Sequence, residues 1–125
     1  MDRRTPLEMK DRARKTGGGG GGAARQTYIQ IGTSTANFSR AGGRRGVLTV
    51  ETGLDVADAA LHTRAGQSAP RLRAAYNQVI ARVAASLRGD APPDVERLAR
   101  ELQAATDQTL GRSGARLLLG TVMAF

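Results

Sequence analysis

The sequence predicts a mainly α fold with a small β-hairpin, α+β in class: a helical hairpin core behind a flexible basic N-terminal arm. Three observations carry that expectation. Two long stretches repeat their apolar residues at helical spacing. Two short stretches have strand chemistry. Almost all of the net charge of +8 sits at the front of the chain. Residues 1–45 hold ten Arg and Lys against Asp2, Glu8 and Asp11, whereas residues 46–125 hold nine Arg against eight acids. The chain of 125 residues therefore divides into a basic arm with an oligoglycine linker, 1–25, and a small helical body with two short strands, 26–125.

In the arm, Thr5-Pro6-Leu7-Glu8 has the chemistry of a helix start, with a capping Thr, a Pro at the first helical position and a Glu that reaches back. The helix expected through Lys15 is shorter than the ~12–15 residues at which isolated helices become marginal. It would form when docked. Gly17 to Gly22 is a run of six glycines and reads as a tether. A phosphate-binding loop would need Gly-Lys-Ser/Thr between a strand and a helix; here the run ends in Ala23-Ala24-Arg25 and leads toward a strand.

In the body, Thr27 to Ile31 is the first expected strand, bounded by Gly32, and Gly46 to Thr52 is the second. They pair across a long loop, residues 33–45. A short helix is expected over Leu54 to Arg64. The longest helix, Ala69 to Arg88, carries Leu72, Tyr76, Val79, Val83 and Leu87 as one stripe with Ile80 alongside. Gly89-Asp90-Ala91-Pro92-Pro93 stops it. Asp94 then opens a helix to Leu110, with Val95, Leu98, Leu102 and Ala105 as a coiled-coil-like seam. The last segment, Ala115 to Phe125, is the most apolar and is expected as a final buried helix, or as a contact site if exposed. Residues 69–110 would form an antiparallel helical hairpin at the structural centre.

Composition narrows the function. Aromatic residues are 3% of the chain, so the core is built from aliphatic side chains, and a partner subunit would supply buried area that a body this small lacks. The absence of cysteine excludes disulfides, thiolate catalysis and cysteine-ligated zinc. No apolar run approaches the ~20 residues needed to span a bilayer, so no membrane partner is expected. The expectation is a soluble protein, intracellular or within a virion.

Chemistry-bearing patterns are sparse. His62 is the single histidine, with no second imidazole for a metal site. Asp55 and Asp58 are expected to stabilise a helix's first turn. No serine has the context of a nucleophile elbow. The reading is non-enzymatic, with no catalytic residue, no metal and no cofactor. The basic residues carry the stronger signal. Arg3, Arg4, Lys10, Arg12, Arg14, Lys15 and Arg25 in the arm, with Arg40, Arg44 and Arg45 in a glycine-rich loop, can each neutralise a phosphate. Such contact with nucleic acid would be non-specific, to the backbone. Seventeen of the nineteen cations are Arg, whose fork suits phosphate; codon usage in a GC-rich genome would produce the same bias.

The leading expectation is a structural protein, a virion or nucleoprotein component. It would self-associate through its helices into a homo-oligomer or larger assembly and touch nucleic acid through its arm. Val95, Leu98, Leu102, Leu117, Leu118, Val122 and Phe125 are its candidate assembly residues. The arm-linker-body layout is similar to that of many viral coat and nucleocapsid proteins. The alternatives are a helical adaptor or accessory subunit of a large complex, whose arm contacts protein, and a small DNA-binding regulator that dimerises through residues 46–60.

Overall fold

The computed structural model describes residues 26–88 and 91–125. The arm, with its expected helix, its glycine run and its seven cations, lies outside the described residues.

The mainly α expectation is overturned. A three-stranded antiparallel sheet, order β1-β2-β3, is an equal partner of the helices. The strands are β1 (Tyr28–Ser39), β2 (Arg45–Val56) and β3 (Ala115–Ala124); the helices are α1 (Ala59–Gln67), α2 (Ala69–Ala85) and α3 (Val95–Leu110). The chain runs β-β-α-α-α-β and is α+β with a sheet-and-helix core rather than a helical hairpin core.

The largest correction is the last segment, which is strand and not helix. Ala115, Leu117, Leu119, Val122 and Ala124 lie opposite Val56, Leu54, Thr52, Val50 and Leu48 of β2. Their spacing is two by two by three by two. The single extra residue is a bulge at Gly120-Thr121, opposite Glu51, and it hides the alternation in the sequence.

The first strand does not end at Gly32. Gly32 sits at φ 131° where the β1–β2 register shifts, so it is a bulge and not a terminator. Beyond it the polar run of Thr, Ser and Asn continues the strand to Ser39. The second strand runs past Thr52 to Val56, so Leu54 and Val56 are strand residues buried against the helices. The first helix begins only at Ala59, where the Asp58 carboxylate accepts from the Leu61 amide at 2.8 Å.

Helices α2 and α3 match their expected spans closely. Asp94 caps α3 by accepting from the Arg97 amide at 3.0 Å, and Gly111 ends it at φ 79°. The two pack antiparallel: Arg71 donates to the Thr109 carbonyl, Tyr76 meets Thr106, and Arg82 meets Glu101. Their stripes, Leu72, Tyr76, Val79, Ile80 and Val83 with Leu98, Leu102 and Leu110, are buried together with Ile31, Leu48, Val50, Leu54 and Val56 of the sheet. Full burial of each such side chain contributes about 1.5–3 kcal/mol.

Polar ties hold the helical layer to one end of the sheet. Arg73 donates to the Ile31 carbonyl, and Gln103 both donates to the Ala115 carbonyl and accepts from the Leu117 amide. The strands of the hairpin, 12 residues each, span about 40 Å. The 17 residues of α2 span about 25 Å. Cover therefore thins toward the β1–β2 turn, where Ala36, Phe38 and Ala124 are half-buried.

Candidate interaction surface

The helices cover one face of the sheet; the other is solvent-facing. On that outer face β1 places Gln30, Thr33, Thr35 and Asn37, while β3 places Arg116, Leu118 and Met123. Phe125 follows at the end of the ladder, exchanging both backbone hydrogen bonds with Val47 at 2.7 and 3.0 Å. Met123 is 45% exposed and Phe125 61%.

The outer face has two ends of different character. At the end away from the β1–β2 turn, the Tyr28 ring lies over Gly53, where any Cβ would collide with it. Partial burial raises the Tyr28 phenol above its usual range, helped by the Glu51 carboxylate. Glu51 itself folds over Gly120 and accepts from the Thr121 amide at 3.3 Å. Asp55 pairs with Arg116 across β2 and β3 at 3.6 Å. At the other end, Val47, Met123 and Phe125 form an apolar cluster beside the arginines of the turn.

That turn gathers Arg40, Arg44 and Arg45. A short 3-10 segment, Ala41–Gly43, closes it, with Gly42 and Gly43 at φ 75° and 78°, a conformation that favours glycine. The Arg40 amide donates to the Arg44 carbonyl at 2.6 Å and the Arg44 Nε to the Ala41 carbonyl at 3.3 Å. Phe38 lies opposite Gly46, and a Cβ on Gly46 would meet its ring at 2.6 Å. The Arg40 guanidinium sits 5.8 Å from the centroid of that ring. No Asp or Glu occurs anywhere in residues 26–50.

The assembly candidates fall into three groups. Leu98 and Leu102 are fully buried against the sheet. Leu117, Leu118 and Val122 are half-buried on β3. Val95, at 47%, and Phe125 are exposed. Residues 46–56, the first part of the segment considered for dimerisation, form the central strand, with both ladders taken by β1 and β3.

Other polar groups away from this face serve the fold. Glu101 accepts from Arg97 at 2.6 Å and from Arg82 at 3.1 Å, beside a shallow groove between α2 and α3. The Arg97 hydrogen bond, with Arg82 adding to it, holds the Glu101 carboxyl below the usual carboxylate range. His62 lies on α1, and its Nε2 is buried without a hydrogen-bond partner among the described residues. Among the described residues no three His, Asp or Glu side chains gather to hold a metal ion, and no helix is long and apolar enough to cross a membrane.

Sequence reasoning picked out the turn arginines but not the support of Arg40 by Phe38 beside Gly46, nor the exposure of Met123. Both depend on cross-strand register, which composition does not reveal. Compared with known proteins, the chain matches no family model and no curated protein.

Proposed function

We propose that this protein is a non-enzymatic assembly module that self-associates through β3 and contacts nucleic-acid phosphates through its basic residues. One observation carries the assembly half. The most apolar segment of the chain lies at a sheet edge, with only β2 as a strand neighbour among the described residues. A long apolar edge strand offers a row of backbone donors and acceptors to another strand. β3 holds no proline and a single charged residue, Arg116. Its outward side chains, Leu118 and Met123 with Phe125, would gain burial from a second copy laid antiparallel beside it.

The seam of α3 supports association less well, because Leu98 and Leu102 are already spent on the protein's own core. The nucleic-acid half rests on the charge layout, ten cations against three acids in residues 1–45.

Sedimentation over a concentration series tests the first half. Mass should rise with concentration, and L118K/M123K should remain monomeric while keeping its fold. A wild-type chain that stays monomeric throughout would instead favour an adaptor, whose edge accepts a strand from another protein. Anisotropy with random duplex DNA over a salt series tests the second half. Binding that ignores salt would remove it.

A further inference from the structure

We infer that two copies of this chain join β3 to β3 about a two-fold axis at the Gly120-Thr121 bulge, so that Leu118 of each copy lies opposite Met123 of the other. This rests on the assembly reading above and adds a register to it.

The free part of the edge follows from the ladder. Val47 and Phe125 exchange both backbone hydrogen bonds, so Phe125 points its amide and carbonyl at β2. That direction alternates along a strand. Met123 therefore also faces β2, while Ala124 and Val122 point away from it. Beyond the bulge, Arg116 and Leu118 face Asp55 and Gly53, and Ala115, Leu117 and Leu119 point away. Two contacts agree with this. The Gln103 side chain accepts from the Leu117 amide and donates to the Ala115 carbonyl, each at 2.8 Å. Its amide group stands where the peptide of a neighbouring strand would, and it closes the edge at that end. The described residues leave open the Leu117 carbonyl and the outward groups of Leu119, Val122 and Ala124.

Those four positions are spaced two, three and two apart, the extra residue being the bulge. The spacing reads the same in both directions, so an antiparallel second copy matches it. Leu119 meets Val122 and Leu117 meets Ala124, and the two-fold axis repeats both pairs. A regular strand, spaced by twos, falls out of step at the bulge. The bulge therefore selects another β3 over a strand of a different protein. The same patch serves on both copies, as a two-fold interface requires.

Side chains complement one another in the same register. On the helix side, Leu117 and Leu119 lie against Ala124 and Val122 of the second copy, and all four are half-buried in one copy. On the outer face, Leu118 lies against Met123, which is 45% exposed, and Arg116 against Phe125, which is 61% exposed. A guanidinium beside an aromatic ring is attracted to it. Arg116 is the single charge on β3, so no like charges meet. The helical layers fit as well. Gln103 ties α3 to the first residues of β3. Two three-stranded sheets then become one, with the two layers at opposite ends, each beside the thinly covered end of the other.

The chain has no cysteine, so single cysteines report the register. Leu118 and Met123 of two copies form a non-hydrogen-bonded pair, with Cα atoms about 4.5 Å apart. A disulfide spans roughly 4.4–6.8 Å between Cα atoms. Leu118 of one copy lies about 13 Å or more from Leu118 of the other. L118C and M123C are made in the full chain, one with a tag that shifts its mass. They are oxidised with glutathione disulfide, alone and mixed, at a concentration where wild type associates. The mixture should give the 118–123 disulfide as the main cross-linked species, and each variant alone should stay uncross-linked. Should L118C melt early, R116C with F125C decides, since both positions are exposed. If wild type associates and L118K/M123K does not, yet the mixture fails to cross-link or L118C cross-links to itself, the register is overturned and assembly through β3 stands. If wild type is monomeric at every concentration, both fall, and the edge is left to a strand of another protein.

Discussion

Tyr76 is the largest side chain in the core, and its hydroxyl is the core's most consequential polar atom. The Thr106 hydroxyl donates to the Leu102 carbonyl at 2.8 Å, so its oxygen is left to accept from Tyr76 at 2.5 Å. Tyr76→Phe keeps the packing and leaves Thr106 with its donation, so it should cost about 1 kcal/mol in a denaturant melt. Thr106→Val strands the Tyr76 hydroxyl in the core and should cost more, about 1–3 kcal/mol. Burial raises the Tyr76 phenol above its ordinary range. An acid whose folded form resists ionisation stabilises the fold fully below the unfolded pKa and loses that contribution as pH rises through the folded one. Stability should therefore fall above about pH 10, and less steeply in Tyr76→Phe, as read by melts across alkaline pH. Glu101 has the opposite sign. Its lowered pKa contributes above the ordinary carboxylate range and is lost as pH falls through it, an effect kept small by exposure. Gly111 is in the left-handed region at the end of α3, so Gly111→Ala should cost about 1 kcal/mol in the same melts.

At the scale of elements, β3 carries the assembly proposal. Lysine at Leu118 and Met123 should abolish association at concentrations where wild type associates, with the melting temperature held, because neither side chain is fully buried. Gly46→Val should displace the Phe38 ring and with it Arg40. The readout is a weaker salt dependence of DNA binding with only a modest loss of stability. The elements also differ in how far they were legible. α2 and α3 were, because a stripe at helical spacing with Asp94 and Gly111 at its limits admits few alternatives. β3 was not. Leu117-Leu118-Leu119 has no period of its own, and the bulge at Gly120-Thr121 breaks the alternation that would have marked a strand. The second half of β1 was missed because Thr33 to Ser39 has the composition of a loop. Its extended form comes from pairing with β2, not from local preference. Arg40, Arg44 and Arg45 were visible as a cluster, yet the seat of Arg40 on Phe38 beside Gly46 required the register.

At the scale of the molecule, the helices close one face of the sheet, and the proposed contacts fall on what they leave uncovered, the β3 edge above all. Apart from the exposed Val95, the apolar seams of α2 and α3 are consumed internally, which is why the proposed association uses the sheet. Charge is absorbed in the same way: ion pairs and carbonyl contacts engage Arg71, Arg73, Arg82 and Arg97 of the helical layer and Arg116 of the sheet. Sedimentation equilibrium of the full chain, wild type beside L118K/M123K, tests this division most directly. The account predicts association that rises with concentration in wild type and a folded monomer in the variant. A wild-type monomer at every concentration, or a variant that associates as well as wild type, would contradict it.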